Sequence, residues 1–591
     1  MNLRTLLWIF ISLLIVPEIL AESAPDTSGF DIKYLRLELN ASDTSAFISG
    51  KAVCRSLITH DLQKICFEFS EKYLVDSVLV NHFPASWMHQ NNLLNVYGHF
   101  TADDLVESEI YYHGNAGGSG FFSGITNKKD AQWTIPVTWT LSEPFAARDW
   151  FPAKQVLSDK IDSSEVILTV PPWCMAGSNG VLAGVDTLPD KRVRFHWKSH
   201  YPIAYYLISM AVANYQNYTL YARPYGLDDS LPVVNFVYNI PSLLESSKKD
   251  IDRTKDFIEY YSALLEGYPF PDEKYGHCLA PMGGGMEHQT MTTLSNFGFL
   301  LVSHELFHMW FGDMVTCASW SDIWLNEGFA SYGEYLALNH FEGKESADAW
   351  MSQAHAFAFA MPEGSVYVPP EEADNVNRIF NYNLSYKKGA AILHMLRMET
   401  ANDSVFFKAL RDYLQRFKYS VASVNDFINT FQQVTAKDWQ YFFEQWYYGS
   451  GYPVVQIEWQ QIGNHLLLNI QQHGSSSKTP VFRFSLPLTF YYPGGDSTVT
   501  IRIDQAEQSL AINFPRRITG IAADTESDVL AKVTVIPMDT SGKYLLIYPN
   551  PAARKVALDF YTKDVNRTIT VISLSGQVIG KLNSRESHLE L

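Results

Sequence analysis

From about Phe30 to Tyr215 the chain runs in short stretches in which apolar residues often alternate with polar ones: YLRLELN, FISGKAVCRSL, KICFEF, LVDSVLVN, EVILTV, KRVRFHW and AYYLISMAV. Period two puts successive side chains on opposite faces of a strand, and turn residues break the runs every ~8–12 positions. The pattern predicts an all-β domain over residues 26–215. The period then changes. In SSKKDIDRTKDFIEYYSALLEGYPFP, the residues Ile251, Thr254, Phe257, Ile258, Tyr261, Leu264 and Leu265 share one helical face, which Gly267 and Pro269 bring to a stop. Helical spacing persists through KKGAAILHMLRMETA, NDSVFFKALRDYLQRF, DFINTFQQV and WQYFFEQWYYGS, predicting a mostly helical domain over 216–451. Its stripe Trp439, Phe442, Phe443 and Trp446 reads as core packing. At Gly451-Tyr452-Pro453 the alternation returns, in VVQIEWQQI, HLLLNIQQ, FSLPLTFYY, STVTIRI and RITGIAAD, predicting a small β-sandwich over 452–534. A last β segment, YLLIYPNPAARKVALDF with ITVISLSGQVIGKL, occupies 540–591. The expected fold class is multidomain α+β: β domain, helical domain, β-sandwich, small β domain.

Composition narrows the possibilities. A chain of 591 residues is too long for one ordinary domain, and 47% hydrophobic with 18% charged residues describes a well-buried protein. A formal charge of −18 argues against nucleic acid as a partner. The start, MNLRTLLWIFISLLIVPEILAES, has one Arg, an apolar run from Thr5 to Val16 and a cleavage site after Ala21, which predicts a signal peptide over 1–21. The expected location is therefore exported: periplasmic, cell-surface or secreted. No later stretch approaches the length of a membrane span, so the mature chain is expected to have none. The five cysteines show no zinc-finger spacing. Cys54 and Cys66, on what read as neighbouring strands, could pair in an oxidising compartment.

The chemistry concentrates in LVSHELFHMWFGDMVTCASWSDIWLNEGFASYGEY, residues 301–335. His304 and His308 stand one helical turn apart, so both imidazoles can grip one metal ion while Glu305 reaches a metal-bound water. Glu327, in a second predicted helix, can return as a third ligand. Two His and a carboxylate leave one zinc position open, the catalytic pattern. Elsewhere, PMGGGMEHQTMTTL has Gly283, Gly284 and Gly285, which permit close backbone approach, then Met286 and Glu287, whose charge suits a cation. SEPFAARDWFPAKQ holds Glu143 among aromatics, and YNLSYKKGAA offers Tyr386 ahead of a helix. Taken alone, these three read equally as a glycine loop, a surface carboxylate and a packing tyrosine.

Together the blocks resemble the aminopeptidase N family of gluzincin metallopeptidases, which includes leukotriene hydrolase-like enzymes. His304, Glu305, His308 and Glu327 match its H-E-x-x-H and distant Glu, GGMEH resembles its exopeptidase motif, and SEPFAARDWFP and Tyr386-Lys387-Lys388-Gly389 resemble two further blocks. The resemblance implies a thermolysin-like catalytic domain with one Zn2+ held by His304, His308 and Glu327. It implies Glu305 as general base, Tyr386 as oxyanion donor, and Glu143 and Glu287 as holders of a peptide's free α-amine. Gly283, Gly284, Gly285 and Met286 would align the peptide as an added strand. The function expected is zinc aminopeptidase. The alternatives are a lipid epoxide hydrolase-like enzyme and an inactive peptide-binding surface protein. Glu334 and Asp322 are the candidates to support a zinc His from behind. His288 stands where the family usually has Asn, and the large C-terminal helical domain of many relatives has no counterpart in the β pattern after 453. Tyr548-Pro549-Asn550-Pro551 and Gly576 resemble the sorting domain of type IX secretion substrates in Bacteroidota, without its closing strand. That resemblance implies a bacterial protein whose tail partners secretion machinery.

Overall fold

The computed structural model of the chain describes residues 27–538, 545–548, 557–560, 566–572 and 578–590. The expected signal peptide, Pro549–Pro551 and Gly576 lie outside them. The architecture is multidomain, an all-β region followed by a helical one and then a β-rich C-terminal region.

The alternating runs of the first region become strands because one face of each can be buried. Strand β1 (Phe30–Ser42) turns Leu35, Leu37 and Leu39 into the core. It pairs antiparallel with β2 (Ser45–Ile58) and parallel with Ser163–Val170, within an eight-stranded mixed sheet. A four-stranded sheet beside it contains Pro136–Leu141, whose end leads directly to Ser142 and Glu143. The pairing that the sequence left open for Cys54 and Cys66 is not found. Cys54 lies in β2, whereas Cys66 lies in Leu62–Glu68 of a separate three-stranded sheet, and the two form no disulfide. The short link between the runs carries the chain from one sheet to another instead of turning it back.

The second region opens on a five-stranded sheet ordered Tyr215–Ala222, Leu231–Tyr238, Tyr275–Leu279, Thr292–Leu294, Gly285–Met286. The parallel pair Leu231–Tyr238 and Tyr275–Leu279 needs a crossover, supplied by α1 (Pro241–Leu265). On α1 the predicted face is buried except for half-buried Leu264, and Glu266 ends the helix in a left-handed conformation. Then come α2 (Phe299–Phe307), α3 (Trp324–Phe341), α4 (Lys344–Phe359), α5 (Val376–Ile379), a π-helical turn Tyr382–Lys388, α6 (Gly389–Thr400), α7 (Asp403–Arg416), α8 (Val424–Thr435) and α9 (Gln440–Trp446). Helix α3 is buried on all sides from Trp324 to Ala337, so its polar residues must be satisfied internally or by a ligand.

After Gly451 the strands form a four-stranded and a three-stranded sheet, with Lys532–Pro537 returning parallel to Pro453–Ile462. Trp446 of α9 packs on Phe482, with ring centroids 4.7 Å apart, which joins the helical region to these sheets. Leu545–Tyr548, Ala557–Phe560 and His588–Glu590 form a last small sheet. Among the described residues no helix is long and apolar enough to cross a membrane.

Candidate active site

Helices α2 and α3 create the centre. His304 sits in the last turn of α2 and His308 caps it, still in helical conformation, so both rings leave the same face. Glu327 comes from the first turn of α3. His304 Nε2 and His308 Nε2 lie 3.2 Å apart, and Glu327 Oε2 is 3.3 and 3.4 Å from them. The outer nitrogens fix what these atoms are. His304 Nδ1 is 2.9 Å from Glu334 Oε1 and His308 Nδ1 is 3.0 Å from the Phe311 carbonyl, both acceptors. Each Nδ1 therefore carries the proton, and each Nε2 presents a lone pair. Glu327 Oε2 has no donor of its own. Three lone pairs converging on one point repel unless a cation sits between them, so the donor set fits a metal ion, and its two-His, one-carboxylate chemistry fits zinc. The surroundings are strongly anionic. Burial works against a charged His304, but Glu327 and Glu334 outweigh it and push it up to about 9. Positive charge is therefore favoured at this point, as a proton on the ring or as a metal ion held among the three atoms.

The support from behind is Glu334, two turns along α3 from Glu327. Besides His304 it accepts from Trp350 Nε1 at 2.9 Å and from Lys387 Nζ at 3.1 Å on both oxygens. Asp322, the other candidate, does not take part. It accepts from Ser319 Oγ and the Val424 backbone N–H, tying the turn before α3 to α8. The π-helical turn places Tyr386 beside the cluster, where its hydroxyl donates to Glu327 Oε1 at 3.0 Å and its ring stacks on His304. Burial, then the Glu327 charge, raises the phenol far above its usual range, so it keeps its proton.

A cleft of about 500 Å³ opens over the cluster. Its lining includes every residue given a catalytic, metal-binding or substrate-binding role from the sequence: Glu143, Gly283, Gly284, Gly285, Met286, Glu287, His304, Glu305, His308, Glu327 and Tyr386. Gly285 and Met286 form the edge of the five-stranded sheet, paired with Leu294 and Thr293. Gly283 adopts φ +88°, and a Cβ at Gly285 would collide with the Glu305 carboxylate, so glycine is required at both for different reasons. Glu143, Glu287 and Glu305 are 3–5% exposed, and one oxygen each of Glu143 and Glu287 has no donor. Carboxylate oxygens of Glu287 and Glu305 come within 4.8 Å of each other and of a His308 nitrogen. Burial above all, then mutual repulsion, raises Glu143 well above the carboxylate range. Burial likewise pushes Glu305 up to about 8. Among the described residues no donor reaches the free oxygens of Glu143 and Glu287, because Lys387, the cation in the lining, is taken up by Glu334.

The sequence did not point to the rim. Phe121, Phe122, Phe380 and Tyr382 line the cleft, and the Phe121 ring lies beside Gly284. Two adjacent phenylalanines inside the glycine-rich loop AGGSGFFSG were the available signal, since such loops seldom carry apolar bulk without a use. Lys387 and Trp350 were likewise unforeseen. His288 is buried with Nδ1 2.9 Å from Thr293 Oγ1 and is not part of the cleft lining.

Two helices presenting His, His and Glu to one point, with a further carboxylate and a phenol facing the same cleft, define a metallohydrolase type of site. Comparison with known proteins gives the class a family context: residues 251–446 match the peptidase family M1 domain. The chain is 26% identical over 447 residues to glutamyl aminopeptidase of Rattus norvegicus, covering 70% of this chain and 45% of that protein. It is 34% identical over 165 residues to aminopeptidase N of Lactococcus lactis subsp. lactis, 27% of this chain and 19% of the relative. With probable aminopeptidase 1 of Sulfurisphaera tokodaii the identity is 28% over 252 residues, 41% of this chain and 30% of the relative. The chain thus spans less than half the length of each of these relatives. These likenesses support a metalloaminopeptidase.

Proposed function

We propose that the chain is a zinc-dependent aminopeptidase that removes single residues from the free N-terminus of peptides. One observation carries the exopeptidase reading: Glu143 and Glu287 are buried in the cleft beside the metal cluster, and each keeps an oxygen without a donor. An α-ammonium brings both the positive charge and the N–H groups those oxygens lack. Held there, the first residue's amide is the one brought to the cluster, since Glu287 and His308 offer atoms within 4.8 Å of each other.

His304, His308 and Glu327 would hold the zinc, which when bound supplies a Lewis acid that polarises the scissile carbonyl and acidifies a water. Glu305, in the cleft lining beside His304 and His308, takes the proton from the attacking water and delivers it to the departing amine. Tyr386, held protonated, turns its hydroxyl from Glu327 to the developing oxyanion, a contact worth about 3 kcal/mol in comparable sites. The free edge of Gly285–Met286 receives the peptide backbone as an added strand. Zinc-loaded protein should release one residue at a time from a free peptide and leave its N-acetylated form intact. Undiminished cleavage of the acetylated peptide would refute the clamp.

From its sequence we also propose that the chain is exported, with residues 1–21 as signal peptide and the region after 540 as a sorting-type segment of a bacterial protein. Detection of the chain outside the cytoplasm, and its loss there on removal of that segment, is the test.

A further inference from the structure

Lys387 is only 4% exposed, and a buried ammonium is costly unless its charge is matched. The match is specific. Nζ lies 3.1 Å from both oxygens of Glu334 and sits over the faces of Trp350, at 4.5 Å, and Tyr382, at 5.1 Å. The same carboxylate accepts from His304 Nδ1 through Oε1 and from Trp350 Nε1 through Oε2. Neighbouring Lys388 is also buried, yet its Nζ donates to the Gly364 carbonyl, so burial in this turn does not by itself require a carboxylate.

We propose that Lys387 is a positioning residue for the metal site: its ammonium clamps both oxygens of Glu334 and so holds that carboxylate against His304 Nδ1. The proposal rests on reading His304, His308 and Glu327 as metal ligands. Glu334 borders the cleft and is otherwise held only by single hydrogen bonds. Without the ammonium its charge would be better served by turning toward cleft water, which releases His304 from its acceptor and lets the ring rotate. Trp350 serves twice, donating to Glu334 and covering the cation with its ring. The lysine also directly follows Tyr386, so the clamp anchors the turn that carries the phenol.

The test is a double-mutant cycle on zinc affinity, measured by chelator competition on the full chain with melting curves to check folding. Lys387→Met should weaken zinc binding by roughly 10- to 100-fold, as losses of support behind a metal-bound His do. Glu334→Gln should weaken it comparably, and the double variant should be no weaker than Glu334→Gln to within about threefold. Lys387→Arg, which keeps the charge and the aromatic stacking, should stay within about tenfold of the parent. Unchanged affinity in Lys387→Met, or the same loss from that substitution in both backgrounds, would overturn the proposal. If Lys387→Met does not fold, a folded Lys387→Arg losing as much as Glu334→Gln would overturn it. A parent that binds no zinc would instead remove the metal reading itself.

Discussion

Glu287→Gln keeps the shape of the side chain and removes its charge, and on the proposed mechanism that one change has two opposite effects. In the substrate complex it converts a charge-assisted hydrogen bond to the α-ammonium into a neutral one. Such bonds contribute about 1.5–3 kcal/mol, so kcat/KM should fall roughly 10- to 150-fold. Most of the loss should appear in KM, because the ammonium is bound equally before and during bond breaking. In the free protein the same carboxylate is 3% exposed with one oxygen lacking a donor, and burial raises its affinity for a proton. Replacing it with a neutral amide should therefore stabilise the region that holds it by about 1 kcal/mol, read as a small rise in that region's melting temperature. Glu143→Gln should behave alike, since its environment is more repulsive still. The assay is kcat and KM on aminoacyl fluorogenic substrates, paired with calorimetry of the same samples. If both variants process free and N-acetylated substrates as the parent does, the carboxylates do not read the terminus. If activity falls and stability falls with it, the residues are structural and the reasoning fails.

Further outcomes are expected elsewhere in the cleft. Tyr386→Phe should lower kcat by roughly 100- to 1000-fold with KM little changed, because on the proposed mechanism the hydroxyl meets the oxyanion only in the transition state. Gly285→Ala should cost activity and about 1–3 kcal/mol of stability, since the new methyl collides with the Glu305 carboxylate; steady-state kinetics and melting check both. Phe121→Ala should raise KM most for peptides with large apolar N-terminal residues, read from a panel of aminoacyl substrates. Because no disulfide joins Cys54 to Cys66, a reductant should leave the melting temperature unchanged.

Local periodicity carried much of the architecture. The face of α1 and the i, i+4 placement of His304 and His308 follow from 3.6 residues per turn, and the alternation of β1 follows from its pleat. Glu334 was also legible, because seven residues after Glu327 is two turns along the same helical face. What escaped was set by contacts distant in sequence. Whether Cys54 and Cys66 share a sheet depends on which strands pair, and Asp322 is claimed by α8, a hundred residues on. The π-helical turn breaks the regular period where it matters, so of Lys387 and Lys388, adjacent and identical in type, only the fold shows which one reaches Glu334. Phe121 reaches the cleft from another region of the chain.

The missing side chain at Gly285 has a mechanical consequence. The Glu305 carboxylate occupies the space a Cβ would fill, so backbone and base touch with nothing between them. On the proposed mechanism, a peptide laid along that edge therefore has its distance to Glu305 set by how closely the edge backbone packs against the carboxylate. Such a gauge tolerates varied side chains at the first residue but not a change in the number of main-chain atoms. A peptide beginning with a β-amino acid would carry its first amide one methylene too far and escape cleavage, while keeping the ammonium that binds it.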